Sequence, residues 1–182
     1  QHLELCRDIA QKFNNDFNKK DFFPLPDPLI QKNISRIMSL RDGTKKMSKS
    51  EESDYSRINL KDSSDEIVKK IKKAKTDANP ITENIKDYEN RPEAYNLLNI
   101  YSDLSDQKIE TTISEFVGKD FSSLKDKLSE KLVETISPIG EEIVKLMNDK
   151  KHLEDVLKKG KQKASIIAEE NLKKIREIVG FV

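Results

Sequence analysis

The sequence predicts a mainly helical fold in two parts, an all-helical domain over 58–182 preceded by a segment, 1–57, with some strand character. Three observations predict it. Charged residues make up 37% of the 182 positions while Gly and Pro number only 5 and 6, a composition poor in turn formers and rich in residues that suit solvated helix faces. Apolar residues recur at spacings of three and four along most of the chain, the period of a helix with one buried side. Only one run, RIMSL at 36–40, is short, apolar and free of breakers, as a buried strand or strand end would be.

Taken in order, Leu3, Cys6, Ile9, Ala10 and Phe13 form the face of a first amphipathic helix, with Cys6 on its buried side. The prolines of FFPLPDP (22–28) remove backbone donors and force extended geometry, so an irregular connection follows. After RIMSL, the stretch RDGTKKMSKSEESDYS (41–56) is dense in charge and serine and reads as a mobile loop. Ser63 with Glu66 three residues on is a capping box for a helix whose face is Ile67, Val68, Ile71 and Ala74, ending before TDANP. Pro92 opens the next helix, with Ala94, Tyr95, Leu98, Tyr101 and Leu104 on one side. A shorter helix through Ile109, Ile113 and Phe116 ends at Gly118. Leu124, Leu128, Leu132, Ile136, Ile139, Ile143 and Met147 form the longest stripe, and Pro138 within it predicts a kink or break. Two last helices, one around Leu153, Val156 and Leu157 and one from Ala164 to Val179, are expected to part near Gly160, the second ending at Gly180.

The bulk numbers exclude several classes. Lys and Arg total 34 against 33 for Asp and Glu, so net charge gives no sign of a polyanionic partner. Two local patches do, Lys69, Lys70, Lys72, Lys73 and Lys75, and Lys158, Lys159, Lys161 and Lys163, although either alone reads as a solvated helix face. A single cysteine excludes an internal disulfide, no Cys/His spacing suits zinc, and a reducing cytoplasm is the expected location. No apolar run is long enough to span a bilayer, and QHLELCRDIA is neither a signal nor a transit peptide. The chain starts without Met inside a helical pattern, which suggests a piece of something longer.

The chemistry lies in Lys46-Met47-Ser48-Lys49-Ser50. Two lysines three positions apart in a polar loop can place two ammonium groups and several N–H donors around phosphate oxygens as negative charge shifts. For an arbitrary KxxK a polar linker would be the better account. The full string KMSKS following a strand, however, is the signature of class I aminoacyl-tRNA synthetases. RIMSLRDGTKKMSKS, with Thr44 and Lys45 ahead of the signature, resembles the tryptophanyl-tRNA synthetases in particular. So do QHLELCRDIAQKFN, which resembles the segment after the GxDQ motif of that family, and KKIKKAKTD, NLLNIYSDLS, the Gly118-Lys119 turn, GKQKAS and the closing VGF. The resemblance covers essentially the whole chain. It departs at Gly43, where proline is common, at Ser35, where alanine is, and at Cys6, where Thr or Ser is.

The resemblance implies a remnant of a Rossmann-like α/β nucleotide-binding domain over 1–57 and a helical anticodon-binding domain over 58–182. It implies activation of tryptophan with ATP and Mg2+ to tryptophanyl-adenylate, then transfer to tRNA(Trp), by an enzyme that is a homodimer at full length. Lys46 and Lys49 would hold the phosphates, Ser48 and Ser50 would add hydrogen bonds, and the backbones of Ile37 and Met47 would border adenine. Lys158, Lys159, Lys161 and Lys163 become tRNA-contact candidates. No protein-bound metal is implied. The HIGH-like motif, the GxDQ motif and the tryptophan pocket precede the matched region in this family, so the 182 residues alone are expected to be inactive. His2, His152, Glu51-Glu52 and Glu141-Glu142 have no partner pattern for catalysis and are read as packing or surface residues. Two rivals stand beside this reading: a tyrosyl-tRNA synthetase fragment, and a noncatalytic helical tRNA-binding module that keeps the loop as a relic.

Overall fold

The computed structural model describes residues 1–29 and 36–181, so Ser35 lies outside the described residues. Among the described residues six α-helices follow one another: α1 His2–Asp16, α2 Ser64–Lys72, α3 Pro92–Leu104, α4 Ile109–Phe116, α5 Phe121–Asn148 and α6 Lys150–Val179. Short 3-10 turns occupy Asp54–Ser56 and Ile85–Asn90. The chain divides into two compact units, one of Gln31–Asn148 and one of Gln1–Ile30 with Asp149–Val182.

In the larger unit α2 and α3 pack on α5, and α4 on α3. The core is built largely from the residues that the periodicity marks: Ile67, Ile71 and Ala74 of α2 and its exit, Ala94, Leu98 and Tyr101 of α3, Ile113 and Phe116 of α4, and Leu124, Leu128 and Leu132 of α5 are all buried, joined by Leu97, which the stripe of α3 does not include. Ser63 caps α2 as expected, accepting from the Glu66 amide while the Glu66 carboxylate accepts from the Ser63 amide at 2.8 Å. Pro92 occupies the first turn of α3, where its missing N–H costs nothing. Gly118, with φ +78°, lets the chain leave α4 in a left-handed turn, so that its amide donates to the Ile81 carbonyl at 2.8 Å.

RIMSL forms no regular strand. Its backbone is extended and, among the described residues, makes a single antiparallel bridge, between Met38 and Lys46, with the Ser39 amide donating to Lys45 O at 2.8 Å and the Met47 amide to Ile37 O at 3.0 Å. The other edge is closed by a side chain. Asn96 of α3, 5% exposed, accepts from the Met38 amide at 3.0 Å and donates to the Met38 carbonyl at 2.9 Å, as a neighbouring strand would. Among the described residues the remnant of an α/β domain implied for 1–57 therefore contributes extended chain in place of a sheet.

Three further expectations are narrowed or corrected. α5 runs through Pro138 as one helix, which excludes the break that was the alternative to a kink there; the proline removes a donor to the carbonyl of exposed Glu134, which water can satisfy. α6 likewise runs through Gly160, where a helical glycine costs about 1 kcal/mol and breaks nothing. The second patch of lysines is exposed throughout, but in the first patch Lys70 is buried and paired, not solvated.

In the smaller unit Cys6 is exposed, and Ala10 is the buried residue of α1. The face that carries Cys6 also leaves Leu3 and Ile9 more than half exposed, so the periodic signal marks an apolar side that the described residues cover only in part, at Ala10 and Phe13. The irregular segment after α1 folds back on it. Phe13, Phe17, Phe22 and Phe23 cluster with ring centroids 4.8–5.5 Å apart, and Asn14 exchanges two hydrogen bonds with the Phe23 backbone. α6 has no buried residue, and it ends at Gly180 with φ +82°.

Candidate functional site

The signature loop begins in a tight turn. Asp42 Oδ1 accepts from both the amide and the hydroxyl of Thr44, and Lys45 Nζ lies 3.3 Å from Asp42 Oδ2. The Thr44 contacts, then Lys45, hold the Asp42 carboxyl below the usual carboxylate range. Gly43 is buried within this turn and touches the start of α3: a Cβ there would lie 2.5 Å from the Pro92 carbonyl carbon. Where proline is common in the resembling family, this chain has the residue without a side chain, and the turn sits directly on α3.

From that turn the chain returns along RIMSL, which brings Lys46 and Met47 beside Ile37. Met47 is half-buried against the core, while Lys46, Ser48, Lys49 and Ser50 are exposed. Ser48 Oγ accepts the Ser50 amide at 3.2 Å. An open cleft of about 1010 Å³ adjoins the loop and is lined by Ile37, Lys46, Met47, Ser48 and Lys49. Five of the six proposed nucleotide residues thus share one wall; Ser50 does not line it.

The cleft also contains residues that no motif marks. Arg36, Arg57 and Lys61 add positive charge beside Lys46 and Lys49, and Asp62, Glu66 and Asp103 add carboxylates. Arg57 is 17% exposed, donating to the Glu51 carbonyl at 2.8 Å, with Nη2 3.0 Å from Asp54. No spacing or motif marks these positions, because they meet through the fold. Beneath them Lys70 Nζ lies 2.5 Å from Asp54 and 2.6 Å from Asp62. Burial pushes its ammonium down, yet the two carboxylates outweigh burial and raise it overall, so Lys70 is a fixed cation. In return Lys70 and then Asn59 hold the Asp54 carboxyl low.

Lys158, Lys159, Lys161 and Lys163 lie exposed on α6, in the other compact unit. At helical spacing they form two pairs, Lys158 with Lys161 and Lys159 with Lys163, on different sides of the helix.

Residues 1–137 match the family model described as tRNA synthetases class I (W and Y). The chain belongs to that family. Within it, the similarity runs to the tryptophan branch. The chain is 49% identical to the tryptophan–tRNA ligase of Caulobacter vibrioides over 181 residues, covering 100% of this chain and 53% of that protein. It is 48% identical over 182 residues to the tryptophan–tRNA ligase of Rickettsia conorii, covering 100% of this chain and 54% of that protein. Among solved structures, the tryptophanyl-tRNA synthetase of Mycoplasma pneumoniae superposes with a TM-score of 0.81 at 30% identity, over 98% of this chain and 53% of that one. That of Campylobacter jejuni, complexed with ADP and tryptophan, superposes with a TM-score of 0.66 at 27% identity, over 98% of this chain and 53% of that one. This class I synthetase chain therefore spans about half the length of the relatives it matches. No helix among its described residues is long and apolar enough to cross a membrane.

Proposed function

We propose that this chain supplies the phosphate-gripping loop and the tRNA-facing helices of a cytoplasmic tryptophan–tRNA ligase. The observation that carries the reading is the placement of Lys46 and Lys49, both exposed on the cleft wall that Ile37 and Met47 also line. In the full-length enzyme the tryptophan carboxylate attacks the α-phosphorus of MgATP, forming the adenylate and expelling pyrophosphate. Charge builds on the departing oxygens. Lys46 and Lys49 stabilise that charge most strongly when it is greatest, which accelerates the step in preference to tightening ground-state binding. Ser48 and Ser50 supply hydroxyl donors, and Ile37 and Met47 flank adenine.

Residues 1–57 act on this reading as the end of the catalytic domain, and 58–182 as the tRNA-binding domain, with the α6 lysines contacting phosphates. The full-length protein is a homodimer. The relatives at 43–49% identity are tryptophan–tRNA ligases, which supports tryptophan over tyrosine as the substrate.

A charging assay with the full-length protein tests the reading. Tryptophan is attached to tRNA(Trp) and tyrosine is not, while the 182-residue polypeptide alone gives no ATP–pyrophosphate exchange. Tyrosine charging would overturn the substrate assignment. A clear exchange rate from the polypeptide alone would overturn the division of labour.

A further inference from the structure

The Lys70 network lies outside the proposed chemistry, yet it ends on the signature loop. Lys70 sits on α2 at 4% exposure, 2.5 Å from Asp54 Oδ2 and 2.6 Å from Asp62 Oδ2. The other Asp54 oxygen lies 3.0 Å from Arg57 Nη2 and accepts from Asn59 Nδ2 at 3.1 Å. Arg57 Nη1 then donates to the carbonyl of Glu51, the residue directly after the signature, at 2.8 Å. Lys70, Asp54, Arg57 and the Glu51 backbone form one continuous line of charge-assisted contacts from a core helix to the loop's exit.

Stability alone does not call for a charge at position 70. A buried ion pair roughly offsets its own desolvation, and an apolar side chain of the same volume would serve the core as well or better. What an ion pair adds is direction: it fixes where Asp54, and through it Arg57, must lie. The entry to the loop is fixed independently, by the bridge at Lys46 and by the Asn96 clamp on Met38. Between these anchors, the polar bonds of 48–50 among the described residues are confined to the Ser50 amide and Ser48 hydroxyl.

We propose that Lys70 is a positioning residue for adenylate formation: acting through Asp54 and Arg57, it holds the exit of the signature loop, so that Lys46 and Lys49 close on the departing pyrophosphate from a fixed pivot. This rests on the phosphate-gripping role assigned to the loop above. Displacement of the pivot would be felt where the lysines work hardest, in the transition state, and little in substrate binding.

Pyrophosphate exchange by the full-length enzyme tests it with Lys70→Met, which keeps the volume and removes the charge, and with Asp54→Asn, whose side chain is half exposed. The expected result for both is a fall of about 10- to 100-fold in kcat with the KM for tryptophan unchanged. Combined with Lys49→Ala, Asp54→Asn is expected to cause little further loss, because both changes act through the same loop; a merely structural role would give additive losses. If Lys70→Met does not fold, Asp54→Asn decides. A folded Asp54→Asn enzyme with wild-type kcat, or losses that add to those of Lys49→Ala, would overturn the proposal while leaving the loop's role standing. Unchanged kcat in Lys49→Ala would instead remove the loop's role and the positioning with it.

Discussion

Asn96 is a residue whose importance comes entirely from the backbone it faces. Its amide group takes both polar groups of Met38, which have no strand partner on that side among the described residues. Truncation would leave a donor and an acceptor unpaired at a half-buried position, at a cost of about 2 kcal/mol. Asn96→Ala is therefore expected to lower the Tm by several degrees, and thermal denaturation of the two proteins measures it; equal midpoints would show that water replaces the clamp at no cost. Asn96 lies within NLLNIYSDLS, yet its asparagine type gave no clue to this role, because the contact spans 58 positions in sequence. Cys6 errs in the opposite sense: its spacing marks the apolar face correctly, while burial also requires a covering surface that the described residues do not provide.

Helix starts and stops were the most legible elements, since each is set by local chemistry. Ser63 with Glu66, Pro92, Gly118 and Gly180 all mark boundaries found in the structure. Interior Pro and Gly do not end their helices. Pro138 and Gly160 each lower helix propensity, but neither offsets the propagation energy of helices of 28 and 30 residues. Pro138→Ala restores an N–H donor to an exposed turn of α5 and is expected to stabilise the unit by about 1–3 kcal/mol. A thermal melt followed by circular dichroism checks this, and a lower Tm would mean that the proline sets a geometry that α5 needs. The strand predicted at 36–40 failed for a related reason: an extended run becomes a strand only where another backbone pairs with it along its length, and here a loop and an asparagine do so instead.

Across the whole molecule, opposed charges nearly cancel, and many are placed in pairs. Arg91 holds Asp77 through two bonds of 2.8 Å, and Lys75 holds Glu93 at 2.7 Å. The Arg91 bonds keep the Asp77 carboxyl below its usual range, and the Lys75 bond does the same for Glu93. A depressed carboxyl binds fewer protons folded than unfolded, so its stabilisation is present above the unfolded value of about 4 and is lost as pH falls through the lower folded value. Stability is expected to be flat near neutrality and to decline below about pH 4. Asp77→Asn should reduce stability near neutrality and shrink the acid decline; an unchanged acid profile would remove this pair from the account.

At the same scale, the lining of the candidate cleft was partly legible. The signature loop and Ile37 could be chosen from the string itself, whereas Arg36, Arg57 and Lys61 reach the cleft only through folding. The claim that Lys46 and Lys49 stabilise charge on departing pyrophosphate is tested most directly by ATP–pyrophosphate exchange in the full-length enzyme, comparing Lys46→Ala, Lys49→Ala and wild type. The expected result is a loss of about 10²- to 10³-fold in kcat for each variant with the KM for tryptophan little changed. A raised KM for ATP with kcat intact would contradict it, placing the lysines in ground-state binding.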